Sequence, residues 1–127
     1  MSLAEYFEKT EGVGILGTAD SRGRVDLAVY GRPHVIHETT IAFIMRERLS
    51  HRNIKSNPQA AYLFIEKGEG HKGKRLYLSK TGEETDPDVI ESFSRRKHSR
   101  GDSGSESRYV VYFTVEKERP LVGDWDE

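Results

Sequence analysis

The sequence predicts a mainly β fold, a small closed or partly closed barrel with short helices attached. Three observations lead there. Six or seven apolar segments of strand length recur between turn signals. Several of them are apolar on both faces, so both faces must be covered. Only three short helical stretches interrupt the series, and no internal repeat organises it.

The elements follow in order. Ser2 and Glu5 form a capping box, after which Leu3, Tyr6 and Phe7 share one face of a short helix ending near Gly12. Gly12 to Ala19 is an apolar strand, and Asp20, Ser21 and Gly23 supply a hairpin turn. Val25, Leu27 and Val29 then alternate with Asp26, Ala28 and Tyr30, the period of a half-buried strand. Arg32-Pro33 interrupts that ladder, because proline has no N–H to donate, and Val35 and Ile36 are expected to resume it. Ile41 to Met45 is apolar on both faces. Ser50 is expected to cap a short helix that Pro58 stops. Ala60 to Glu66 and Leu76 to Ser79 read as strands around a glycine-bearing loop, Lys67 to Lys74. Asp86 as N-cap and Pro87 at the first helical position open a helix with Val89, Ile90 and Phe93 on one face. A polar loop over Lys97 to Ser107 precedes a last strand, Tyr109 to Val115.

Composition excludes several functions. The 127 residues fit one domain, 1–127. A net charge of −1 leaves no surplus of cations to grip nucleic acid by phosphate neutralisation, so any basic surface is local. The absence of cysteine rules out disulfides, cysteine zinc sites and thiol catalysis. The longest stretch without a charged residue, Ser56 to Ile65, falls far short of the ~18 residues a membrane span needs. Glu5 and Glu8 follow Leu3 too closely for a signal peptide, so the expectation is a soluble cytoplasmic protein. At 35% hydrophobic residues the core is modest, and a subunit partner or a ligand is expected to cover part of it.

Several short motifs have plain readings. Gly12-Val13-Gly14-Ile15-Leu16-Gly17 matches a dinucleotide-binding string, yet a helix precedes it and a hairpin follows, the reverse of the required strand-to-helix context. Its glycines are better explained by crowding in a barrel strand. Gly101-Asp102-Ser103-Gly104 lacks the positioned histidine and second barrel that serine-protease chemistry needs. His34 and His37 are three apart on a strand and point to opposite faces, so no metal site is expected. Arg95 to Arg100 is a basic cluster at a helix C-terminus, where cations are favoured by exposed carbonyls. The segment from Arg46 to Asn53 says more. A strand end delivers two arginines beside a helix N-terminus, where Ser50, backbone N–H groups and guanidinium groups suit a phosphate.

At this segment the chain resembles the FMN-binding split barrels related to pyridoxamine 5′-phosphate oxidase. The resemblance rests on ordered features: the strand Glu11 to Ala19, the turn Asp20 to Arg24, the strand Leu27 to Pro33, and Arg46 to Pro58 followed by Ala60 to Ile65. Gly73 to Leu78 and the helix from Asp86 continue it. It implies a six-stranded split β-barrel with short flanking helices and a C-terminal tail from about 117. It implies FMN as cofactor, its phosphate held by Arg46, Arg48 and Ser50, with Arg52 and Asn53 nearby. Leu49 stands where many members carry a basic residue, and Arg52 is then expected to supply that charge. Val29, Tyr30 and Gly31, with Arg32 close by, are expected along the flavin ring, a backbone N–H of Tyr30-Gly31 facing it. The resemblance further implies a homodimer with flavin near the subunit interface, where Trp125 would reach the partner's flavin. Nothing after Val115 matches the substrate-gripping segment of true pyridoxamine 5′-phosphate oxidases. The expected activity is therefore that of an oxidoreductase or flavin reductase using a small-molecule electron donor or acceptor. The alternative is a non-enzymatic small β-barrel that binds an anionic partner, such as single-stranded nucleic acid, through Arg95 to Arg100 and exposed tyrosines.

Overall fold

The computed structural model describes residues 2–94 and 108–123. Its elements run α1 (Leu3–Lys9), β1 (Gly12–Ala19), β2 (Val25–Val29), β3 (His34–His37), β4 (Thr40–Arg46), α2 (Leu49–Ser56), β5 (Gln59–Glu66), β6 (Gly73–Glu84), α3 (Pro87–Ser94) and β7 (Arg108–Pro120). The strands form one antiparallel sheet in the order β2-β1-β5-β6-β7-β4-β3. The mainly β reading is correct, with seven strands rather than six. The extra one arises because His34–His37 does not resume the β1 ladder. It pairs with β4 instead, at the opposite edge. The sheet is also not closed, since β2 and β3 remain its two edges among the described residues.

Gly31-Arg32-Pro33 carries the chain from edge strand β2 to edge strand β3, and two side chains tie it down. The Tyr62 hydroxyl lies 3.1 Å from the Tyr30 carbonyl and 2.9 Å from that of Gly31. Arg32 donates to the carbonyls of Phe7 and Thr10, capping the C-terminal end of α1. Gly14 is required here, because a β-carbon would collide with the Tyr62 hydroxyl. The crowded-strand reading thus holds for Gly14, and for Gly12 against the Ile65 carbonyl, whereas Gly17 meets only the end of the Leu27 side chain.

The interior is built from the alternate residues that each strand turns inward, including Leu16, Phe43, Tyr62, Phe64, Leu76 and Phe113, all at most 2% exposed. Helix α1, with its capping box intact, adds Leu3, Tyr6 and Phe7 to this interior. Phe7 meets Phe64 edge-to-face at 5.3 Å.

The outer faces differ. On β4 and β7, Ala42 and Val110 are buried under Ile90 of α3, which starts as expected with the Asp86 side chain accepting from the Asp88 N–H. On β1, β2 and β5, register lines up Val13 with Ile65, Ile15 with Leu63 and Val29, and Gly17 with Leu27. Here Val25, Leu27 and Val29 are 73%, 68% and 77% exposed. The alternation expected of β2 is present, with its apolar side turned outward.

The last strand also runs past the expected tail boundary at about 117. Lys117, Glu118 and Arg119 pair with Tyr77, Leu76 and Arg75. Charged residues persist there because cross-strand partners satisfy them: Lys74 bonds Glu118 at 3.0 Å, and Arg119 lies over the Tyr77 ring. Trp125 and the cluster Arg95 to Arg100 lie outside the described residues. No described helix is long and apolar enough to cross a membrane.

Candidate functional site

A cleft of about 510 Å3 opens between edge strand β2, the end of β4 and the start of α2. One side is formed by Asp26, Ala28 and Val29 of β2, Tyr30 just after it, and Ile44 and Arg46 of β4. Arg48, Leu49 and Ser50 complete it from the helix side. The volume lies within the ~300–1,000 Å3 usual for cofactor and small-molecule sites.

Helix α2 exposes its N-terminus to this cleft. The first-turn N–H groups of a helix have no intrahelical acceptor, and their dipoles favour an anion. Here the N-cap is Arg48, which makes no side-chain cap hydrogen bond, and the first turn holds no acidic residue. Ser50 is therefore not the cap that its residue type suggests. It sits inside the first turn, 3% exposed, and lines the cleft together with Tyr30. Burial raises the Tyr30 phenol above its ordinary value, and Ser50 and the Arg48 charge draw it partway back. A hydroxyl, a phenol, two guanidinium groups and a helix N-terminus thus converge. Ala28, Val29, Ile44 and Leu49 give the same cleft an apolar surface.

Of the residues expected at the cofactor, the structure brings together Val29, Tyr30, Arg46, Arg48 and Ser50. The other described ones are elsewhere. Arg32 is engaged with the α1 carbonyls. Asn53 is 5% exposed and donates to Thr18 of β1 at 3.0 Å, an anchor for the helix. Arg52 points to solvent on the exposed side of α2, and Gly31 turns its carbonyl to Tyr62. The Tyr30 N–H, expected to face a flavin ring, donates to the Gly14 carbonyl at 3.0 Å instead.

Sequence reasoning missed His51. Its ring is fully buried and stacks on Tyr109 with centroids 3.9 Å apart. Nε2 lies 3.2 and 3.1 Å from the two carboxylate oxygens of Glu83. Nδ1 lies 3.3 Å from a Glu47 oxygen, outside hydrogen-bond geometry. Its partners gave little local signal, since Glu47 lies in the turn before α2 while Glu83 and Tyr109 come from β6 and β7.

No protein-family model matches the sequence, and no curated protein does. Solved structures do match. An FMN-binding protein from Syntrophomonas wolfei superposes with a TM-score of 0.78 at 15% identity, over 96% of this chain and 85% of the other. An F420 reductase gives 0.73 at 16% identity, over 90% and 94%. A pyridoxamine 5′-phosphate oxidase-like protein from Lactobacillus delbrueckii gives 0.68 at 15% identity, over 91% and 88%. The chain has the fold of the split-barrel proteins related to pyridoxamine 5′-phosphate oxidase.

Proposed function

We propose that this protein is a homodimeric FMN-binding flavoprotein with oxidoreductase or flavin-reductase activity. The observation that carries this reading is the α2 N-terminus, uncapped by any side chain and flanked by Arg46 and Arg48, opening into a cleft with an apolar wall. A phosphate monoester suits the first part and a planar ring suits the second. Arg46, Arg48 and Ser50 would hold the phosphate, and Val29 and Tyr30 would lie along the ring. The FMN-binding and reductase neighbours support the same choice at the level of fold. Bound flavin would supply the redox chemistry, while the chain orients it and limits access of water.

The dimer reading rests on the bare side of the sheet. Val25, Leu27 and Val29 with Val13 and Ile65 make a contiguous apolar face, of the kind that monomeric proteins keep small. Val29 belongs to both features, since it lies on this face and at the cleft. A second copy seated there would wall in the cleft.

The test is an absorbance spectrum of the purified protein before and after FMN is added and the excess removed. Retained flavin bands, reduced at least tenfold in affinity by Arg48→Ala, are expected. A protein that retains no FMN, or an Arg48→Ala variant that retains it unchanged, would overturn the assignment. Salt-sensitive binding of single-stranded nucleic acid by a flavin-free protein would favour the non-enzymatic alternative.

A further inference from the structure

A second cavity, of about 360 Å3, opens between helix α1 and the segment that leads into β3. Ala4, Phe7 and Glu8 line it from the helix, and Arg32, Pro33 and Val35 from the other side. It shares no lining residue with the cleft at α2. Its floor is apolar, since Phe7 and Pro33 are buried and Val35 packs against the core.

The two charges at this cavity are only partly committed. Arg32 donates through Nη1 to the carbonyls of Phe7 and Thr10, at 2.8 and 3.0 Å. That leaves Nε and Nη2, the edge of the guanidinium that can grip a carboxylate with two parallel bonds. Among the described residues this edge meets no acceptor. Because Nη1 is held by the end of α1, the guanidinium plane is fixed before any ligand arrives, which lowers the ordering cost of binding. Glu8 lies one turn along the helix from Ala4, exposed, and has no hydrogen-bond or ion-pair partner among the described residues. Arg32 and Glu8 thus line one small cavity without pairing with each other.

This arrangement selects by charge pattern. A simple anion is attracted by Arg32 and repelled by Glu8, and a simple amine meets the opposite conflict. A molecule that carries a carboxylate and an ammonium group side by side satisfies both. The apolar floor then suits a hydrocarbon side chain.

We propose that this cavity binds a free α-amino acid with an apolar side chain: carboxylate on the Nε and Nη2 edge of Arg32, ammonium toward Glu8, side chain over Phe7, Pro33 and Val35. The inference does not depend on a flavin at α2.

The experiment titrates three probes into isotope-labelled full chain and follows the Arg32 Nε–H and Val35 amide NMR signals. Leucine carries both charges, isocaproate lacks the ammonium, and isoamylamine lacks the carboxylate. Leucine is expected to shift both signals along one saturable curve, with each analogue weaker by about tenfold or more. Glu8→Gln changes an exposed side chain and is expected to lower leucine affinity by about tenfold while leaving isocaproate no weaker. Arg32→Lys keeps the charge without the two-pronged edge and is expected to lose leucine binding. Arg32 also holds the end of α1, so Glu8→Gln and the two analogues decide the matter if that variant folds poorly. No saturable shift at Arg32 Nε, isocaproate binding as tightly as leucine, or unchanged leucine affinity in Glu8→Gln would overturn the proposal. The FMN absorbance test reads a different set of residues, so either assignment can fail while the other stands.

Discussion

The two outer faces of the sheet carry the same kind of pattern and meet different fates. On β4 and β7 the outward residues Ala42 and Val110 are completely buried, because α3 of the same chain lies across them. On β2 and its neighbours the outward residues are aliphatic as well, yet no described helix covers them. Period-two alternation shows that a face is apolar. It does not show whether the cover comes from the same chain. In this fold the bare face adjoins the cleft, and Val29 belongs to both.

The largest expected effect breaks the covered side. Val110→Asp puts an unpaired charge under α3 and should cost about 4 kcal/mol or more, which thermal unfolding will measure. The equivalent change on the bare side, Leu27→Asp, should leave the monomer folded. It should weaken self-association by ~30-fold or more, about 2 kcal/mol, as read by sedimentation. Were Leu27→Asp to unfold the chain as Val110→Asp does, the two faces would be alike and the comparison would fail. Smaller still, Asn53→Ala removes the buried bond to Thr18 and should cost about 1–2 kcal/mol, with a matching loss of cofactor affinity as α2 loosens. Thermal melts with and without FMN separate those two effects.

The carboxylates beside His51 predict a pH response on the acid side. The Tyr109 hydroxyl, then His51 and Lys55, hold the Glu47 carboxyl below its ordinary value. Burial pushes Glu83 up, but hydrogen bonds from Lys80 and His51 outweigh it and hold that carboxyl low as well. Groups with lowered values contribute stability that is complete above the ordinary glutamate value of about 4.3 and is lost as pH falls through the lowered ones. Acid titration followed by Tyr109 fluorescence or NMR should therefore show this region holding until below about pH 4. Glu83→Gln should remove part of that dependence.

Much of the fold was legible in the sequence. β1 was bounded by Gly12 and the Asp20 turn, α3 by Asp86-Pro87, and the two apolar sides of β4 anticipated cover on both faces. The misses share one physical cause, which is that long-range pairing decides them. Glu83 and Glu84, and Lys117 to Arg119, look like loop by composition, but the β6–β7 ladder satisfies their backbones and extends both strands. Arg32 was expected close to the flavin ring, and only the fold reveals the Phe7 and Thr10 carbonyls at the end of α1 within its reach. That Arg46, Arg48 and Ser50 line one cleft was legible because strand end and helix start are adjacent in sequence. Glu83 and Tyr109 come from distant strands, so the surroundings of His51 were not.

The measurement that tests the account most directly is sedimentation velocity of the FMN-treated protein, recorded at once in the protein band and in the visible flavin band. The account predicts one species of twice the monomer mass that carries the flavin signal, with Leu27→Asp shifting it to monomer and lowering its flavin content. A flavin-loaded monomer, or a dimer with no flavin signal, would contradict the coupling of bare face and cleft.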